Sequence, residues 1–374
     1  MWSKQVEYEG YGAYQRIIYV VEAVNAKKLM IVCDSSFDRF PIKQAIEKIS
    51  VPVVYFRGFS SNPDYTDVFK GISLFAEEKC DFIVSVGGGS AIDVAKCIVN
   101  HVEDGGRLRL LDDALCKHLA IPTTAGTGSE ATCFAVIYRN GEKMSIEHSN
   151  ILPDYVILDP QFLETLPLYQ KRSTLADALC QAIESMWAKN ANAESRKYAK
   201  EAISIILENV EAYLSGHTDS MRLMLKAANL SGKAINISKT TAPHAMSYKL
   251  SSMFGIAHGH AVAICLPYVW ENLLEESNTF VSPQKEYYSN VFDELMHIVK
   301  STSYENTVNV IAGLFNEFEF YHEFEYNEDT IQELVVSVNT QRLENHPIKI
   351  SPQLLHEMYR KVLSNHIFEK NTGG

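Results

Sequence analysis

A chain of 374 residues, 46% hydrophobic and 21% charged, has the composition of an ordinary globular protein. That length can bury a large core and more often gives two domains than one. A formal net charge of −12 excludes the broad basic footprint of a nonspecific nucleic-acid binder. Met1–Glu7 has no apolar signal region, and no stretch is long and uncharged enough to span a bilayer. The seven cysteines are scattered without a Cys-x-x-Cys pair. That usage predicts a reducing compartment, the cytoplasm, and no membrane partner.

In chain order, Lys28–Cys33 reads as a buried strand and Ile42–Ile49 as the helix after it. Val51–Phe56 is a second strand, and Asp67–Cys80 has helical spacing through Val68, Ile72, Phe75 and Ala76. Asp81–Val86 is a third strand, followed by Gly87-Gly88-Gly89-Ser90 and a helix through Ile92, Ala95 and Ile98. Leu119–Pro122 opens another strand-to-loop transition. Strands alternating with helices predict a parallel sheet covered on both faces. After Leu152–Pro160 the pattern changes. From Pro167 to Phe368 apolar residues recur at three and four, as in Ala176, Leu179, Ala182 and Ile183, which predicts a helical bundle. Within it, Glu317–Tyr326 is aromatic and acidic and reads as a solvated turn with partly buried rings.

Two loops carry chemistry in the first half. Gly87, Gly88, Gly89 and Ser90 lie between a strand and a helix, where glycines admit a ligand and the helix start offers free N–H groups to a phosphate; a tight connection is the plainer alternative. Pro122–Glu130 presents four hydroxyls, Thr123, Thr124, Thr127 and Ser129, after a strand. Two such loops at strand ends predict a dinucleotide crevice. Asp34, ending the first strong strand, suits a ribose hydroxyl or, equally, a cap for the next segment.

In the second half, His244 and His258 are fourteen residues apart, about 21 Å on one straight helix. A turn at Gly255 would bring both imidazoles to one point. Asp177, set among Leu175, Ala176, Ala178 and Leu179, would be a buried carboxylate in need of a cation or donors. Together the three make an O,N,N set with open positions, suited to a catalytic metal. Gln181 shares a helix face with Asp177.

These motifs resemble those of the group III, iron-containing alcohol dehydrogenases over nearly the whole chain. Gly87–Lys96 resembles the family's GGGSxxDxAK pyrophosphate loop, which includes Asp93, and Pro122–Glu130 its PTTAGTGSE loop. The resemblance implies an α/β Rossmann-like dinucleotide-binding domain over residues 1–160. An all-α helical metal-binding catalytic domain follows over 161–374, the dehydroquinate synthase-like fold. It also implies Asp34 as an adenosine-ribose ligand, Lys143 as a cofactor-proximal lysine, and Asp177, His244 and His258 as three of four metal ligands. Where the family often has a fourth, a histidine, this chain has Gln181, so iron and zinc both stay open. Tyr248 stands where many members have a second histidine, and could orient substrate or relay a proton.

The resemblance implies reduction of a metal-polarised carbonyl by NAD(P)H in a homo-oligomer, a dimer. Thr240–Tyr248 and His258–Ala261 are similar to the hydroxyethylphosphonate dehydrogenase branch, which implies phosphonoacetaldehyde as substrate and Lys239 and Lys249 as partners for its anionic head. The alternatives are a dehydroquinate-synthase-like lyase using NAD and zinc, and a binding protein that has lost its metal.

Overall fold

The computed structural model describes residues 5–104, 107–139, 142–320 and 322–364. Tyr321 and the end of the expected helical half, residues 365–374, lie outside them. The chain divides into two compact units, one formed by Met1–Leu166 with Ser215–Gly232, the other by Pro167–Leu214 with Lys233–Gly374.

Among the described residues, the Met1–Leu166 part of the first unit is built on ten strands and four α-helices. In chain order these are β1 Val6–Glu9, α1 Arg16–Ala23, β2 Leu29–Cys33, α2 Ile42–Ile46, β3 Val53–Phe56, α3 Tyr65–Glu77, β4 Phe82–Gly87 and α4 Gly89–Asn100. Then come β5 His101–Asp104, β6 Arg107–Leu110, β7 Lys117–Pro122, β8 Phe134–Arg139, β9 Glu142–Glu147 and β10 Tyr155–Leu158. Six strands form one parallel sheet in the order β1-β10-β7-β4-β2-β3, while β5–β6 and β8–β9 are antiparallel pairs.

The side-chain period of two explains why β2 and β4 are buried throughout. Leu29, Ile31 and Cys33 of β2 enter one apolar cluster with Ile17 and Val20 of α1 and Ile42 of α2. Met30 and Val32 point the other way, into a cluster with Val68 and Ile72 of α3 and Val94 and Ile98 of α4. A strand with helices on both sides therefore reads as an unbroken apolar run. β1 has no such run: it is an edge strand with both glutamates exposed. The sequence also predicts no strand at β10, which lies in the Leu152–Pro160 stretch where the pattern changes, and neither antiparallel pair.

Residues 215–232 group with this unit although they lie in the stretch expected to be wholly helical domain. The cause is a backbone contact. Gly128, in the left-handed conformation at φ +60°, faces Gly232 so closely that a Cβ at Gly232 would stand 2.4 Å from the Gly128 carbonyl oxygen. Asn229 Nδ2 also donates to the buried Glu130 Oε1 at 3.2 Å.

The second unit is helical. Its helices are α5 Leu168–Trp187, α6 Ala193–Leu214, the end of α7 Thr218–Ser238, α8 Ala242–Phe254, α9 His258–Ser277 and α10 Gln284–Val299. They are followed by α11 Tyr304–Glu317, α12 Glu328–Ser337, α13 Thr340–Leu343 and α14 Pro352–Leu363. Two helices form its centre: α5 is buried from Leu175 to Trp187, and α9 from Gly259 to Trp270. Helices buried on all sides belong to a core. Asp177, Gln181 and Glu184 are nevertheless buried in α5, so each needs a polar partner. In the aromatic stretch after α11, Phe318 and Phe320 are buried and Tyr326 is exposed. No helix among the described residues is long and apolar enough to cross a membrane.

Candidate active site

In the first unit, three neighbouring strands end at the segments expected to hold a dinucleotide. Asp34 follows β2, Gly87 ends β4 with Gly88–Ser90 after it, and Thr123–Ser129 follows β7. Thr123 N donates to Gly87 O at 3.0 Å, which ties the two loops at their roots. α4 begins at Gly88 without a side-chain cap. The first amides of a twelve-residue helix thus open where two glycines are half-exposed, a geometry that suits a phosphate.

Not every expected cofactor residue is placed alike. Thr124 and Thr127 are half-exposed, whereas Thr123 is buried. Ser90 Oγ donates to Ser61 O. Asp34 caps the short helix after it, accepting from Ser36 N at 2.7 Å. Asp93 and Ser129 meet inside the protein: Ser129 Oγ donates to Asp93 Oδ1 at 2.5 Å, and Val136 N donates to Asp93 Oδ2 at 2.8 Å. Lys96, fully buried, donates to Ser129 Oγ at 3.0 Å, Thr132 Oγ1 at 3.0 Å and Phe134 O at 2.8 Å. This network fastens α4 to the second loop. Burial raises the Asp93 pKa despite the nearby Lys96 and lowers that of Lys96 despite Asp93. Lys143 stands opposite Tyr138 on β9 and acts on Asp93 as a positive charge.

In the second unit, Asp177, His244 and His258 converge as a possible metal-binding group, with one ligand atom from each lying within 4.8 Å of the others. They come from three helices. Gly255 supplies the turn: at φ +68° it ends α8 in the left-handed conformation, and α9 starts three residues later with His258. Gly259 supplies the approach, since a Cβ there would stand 1.9 Å from Ser173 O and 2.9 Å from Asp177 Cβ. α9 can deliver His258 to α5 only because that side chain is missing.

His244 Nε2 lies 3.2 Å from Asp177 Oδ1, and His258 Nε2 lies 3.9 Å from the same oxygen. The other ring nitrogen of His244 bonds to Glu184 Oε1. Glu184, fully buried, also accepts from Thr241 N at 2.6 Å and Thr241 Oγ1 at 2.9 Å. A carboxylate behind a histidine fixes its tautomer and raises its basicity as a ligand. Asp177 and His244 side chains are 4% exposed and His258 36%, so the set is closed within and open at His258. One carboxylate and two imidazoles with an accessible side fit a divalent cation with room for substrate. Gln181 is buried one helical turn from Asp177.

Glu184 escapes the sequence reading, although it lies seven residues after Asp177 on the same helix stripe. Arg342, on α13, also escapes it. Tyr248 stacks on His258 with ring centroids 5.4 Å apart and planes 5° apart, and Arg342 Nη1 donates to the Tyr248 hydroxyl at 2.7 Å. Lys249 instead forms an ion pair with Glu333 at 2.7 Å. Lys239 takes a left-handed conformation, φ +61°, just after α7. The second histidine of the α9 start, His260, is not among the converging ligands: its ring nitrogens meet the Tyr169 hydroxyl and Phe320 O, and burial lowers its pKa to about 4.

Burial alone would lower the His244 pKa, but the Glu184 charge and the hydrogen bond with Asp177 outweigh it and raise it to about 9. A folded value above the ordinary 6.5 stabilises the metal-free protein fully below that pH and is lost as pH rises through about 9. Thermal unfolding of chelator-treated protein is therefore expected to show falling stability between those values. The fall should be weaker in Glu184→Gln, and a pH-independent midpoint would contradict this electrostatic account.

Residues 7–160 match the family described as iron-containing alcohol dehydrogenase, and residues 172–363 match the C-terminal domain of the Fe-containing alcohol dehydrogenase family. The chain is similar to the NAD-dependent methanol dehydrogenase of Bacillus methanolicus, with 29% identity over 72% of this chain and 75% of that one. It is 31% identical to the NADPH-dependent butanol dehydrogenase of Clostridium saccharobutylicum, over 70% of this chain and 71% of that one. Among solved structures, the sulfoacetaldehyde reductase of Bifidobacterium kashiwanohense in complex with NAD+ superposes with a TM-score of 0.83 at 25% identity, covering 97% of this chain and 99% of that one.

Proposed function

The chain belongs to the iron-containing alcohol dehydrogenase family, oxidoreductases acting on CH–OH groups, and from that premise we propose that it is a metal-dependent NAD(P)H aldehyde reductase. Its proposed reaction is phosphonoacetaldehyde to 2-hydroxyethylphosphonate. Residues 1–160 would serve the dinucleotide and 161–374 the metal. The observation that carries the reading is the convergence of Asp177, His244 and His258 with Glu184 behind His244. An anionic two-carbon substrate is supported by the resemblance around His244 and by the similarity to a sulfoacetaldehyde reductase.

When bound, the metal supplies a Lewis acid that polarises a carbonyl, and the nicotinamide supplies a hydride. Asp177, His244 and His258 would hold the metal. Glu184 keeps the Nδ1 of His244 engaged so that Nε2 faces Asp177. Tyr248, aligned by its stacking on His258, receives a hydrogen bond from Arg342. Its Oη proton is thereby left for donation to the forming alcohol oxygen. Three strong ligands with Gln181 as a weak fourth suit either iron or zinc. The Asp34 carboxylate favours NADH, because it would repel a 2′-phosphate.

The test is an aldehyde panel, phosphonoacetaldehyde among neutral aldehydes, run with NADH and NADPH after loading with Fe²⁺ or Zn²⁺. The reading expects metal-dependent NAD(P)H oxidation with the phosphonate preferred. Consumption of every neutral aldehyde in preference to phosphonoacetaldehyde would reject that substrate, and loss of all cofactor oxidation would reject the enzyme.

A further inference from the structure

We propose that Arg342 forms an anion subsite beside the metal-ligand set, and that it selects substrates whose phosphonate, sulfonate or carboxylate is separated from the reacting carbon by one carbon. This deepens the reductase reading above and rests on it.

Arg342 is half-buried on α13. Its guanidinium lies 4.8 Å from the centre of the Tyr248 ring, which in turn stacks on His258, the most exposed of the converging ligands. The cation is therefore no farther from that imidazole than two ring contacts. Arg172 and Arg360 of the same unit are neutralised by Glu319 and Glu328, whereas Arg196, like Arg342, is held by a tyrosine hydroxyl and ring, but on α6, away from the converging ligands. Arg342 has no carboxylate within ion-pair distance among the described residues, even though the chain has 46 acidic residues. One of its five N–H donors is used, by the Tyr248 hydroxyl. The remaining donors are open to a ligand, and the planar fork matches a two-oxygen acceptor. Lys249, expected from the sequence to take this role, is already neutralised by Glu333.

The same contact gives the subsite its orientation. Arg342 grips the hydroxyl of Tyr248, so an anion held by the remaining donors would place its attached carbon on the Tyr248 side of the ligand set. An aldehyde separated from its anionic head by one carbon fits that arrangement better than a long neutral alcohol.

The experiment uses full-length, metal-loaded protein with Arg342→Ala, Arg342→Lys and Tyr248→Phe. The quantity read is kcat/KM for phosphonoacetaldehyde, sulfoacetaldehyde and malonate semialdehyde, each divided by that for propionaldehyde. Loss of a charged hydrogen-bond pair predicts that Arg342→Ala lowers this ratio by about 30-fold or more, with Arg342→Lys in between. Tyr248→Phe should lower turnover of all substrates, and, because it frees Arg342 from the hydroxyl that orients it, should lower the ratio by less than Arg342→Ala does. Calorimetry with ethylphosphonate should show the same order of weakening without turnover. An unchanged ratio with unchanged ethylphosphonate binding overturns the subsite. If sulfonate or carboxylate is preferred and the preference still depends on Arg342, the subsite stands and the phosphonate assignment falls. If no aldehyde is reduced at all, the reductase reading fails, and ethylphosphonate binding alone decides for or against Arg342.

Discussion

His244→Ala is expected to release the bound metal and to lower kcat/KM by about a thousand-fold or more, because a Lewis acid supplies several kcal/mol of charge stabilisation in the transition state. Two effects coincide at this residue. The imidazole would be one of three strong donors to the cation. It is also the cationic or donating partner of Glu184, a carboxylate with no exposed surface. Without it, Glu184 keeps only the two donors of Thr241, and breaking a buried pair costs about 3 kcal/mol. Glu184→Gln separates the two contributions. It leaves all three ligand atoms in place and removes only the charge behind His244, so metal affinity should fall by about 10- to 100-fold. Metal titration of both variants beside the parent checks this. A Glu184→Gln protein with the parent's affinity would show that the carboxylate only fills space.

Gly259→Ala is expected to lower both stability and metal binding, though residue 259 supplies no ligand atom. The added Cβ would lie 1.9 Å from the Ser173 carbonyl and 2.9 Å from Asp177 Cβ. The first neighbour is backbone of α5, in the turn before its fully buried stretch, so α9 must move instead. Overpacking of this kind costs about 1–3 kcal/mol. The displacement falls on His258, the adjacent residue, so metal binding should weaken with stability. Alanine at Gly313, in the interior of α11, meets nothing within 4 Å and should be neutral or slightly stabilising. Denaturant unfolding and metal content of the two variants provide the comparison. Parent-like behaviour of Gly259→Ala would mean that the helix contact is looser than described.

What could be read from the sequence follows from how each feature is encoded. β2, β4 and β7 are strands buried in a parallel sheet, and their apolar runs announce them. β1 is exposed at the sheet edge and has no such run; β6, Arg107–Leu110, alternates and β8, Phe134–Arg139, is apolar, but their partners β5 and β9 mix charged and apolar residues without a clean period, so neither pair is legible as a pair. The geometry expected of His244 and His258 depended on one left-handed residue, and Gly255 has that conformation. Glu184 was harder to see because a glutamate in a helix usually marks a solvated face; only its seven-residue offset from Asp177 hints otherwise. Arg342 lies far along the chain on a four-residue helix and has no local pattern, so nothing short of the folded chain brings it to Tyr248. The same long-range pairing takes Lys249 to Glu333, which no spacing rule could foresee.

Three helices bring Asp177, His244 and His258 together as candidate metal ligands, and elemental analysis of protein loaded with Fe²⁺ or Zn²⁺ and freed of excess ion reads their occupancy. About one metal per chain is expected in the parent and almost none in Asp177→Ala or His244→Ala, each still folded by circular dichroism. A parent protein that retains neither metal, or variants that retain as much as the parent, would contradict this assignment.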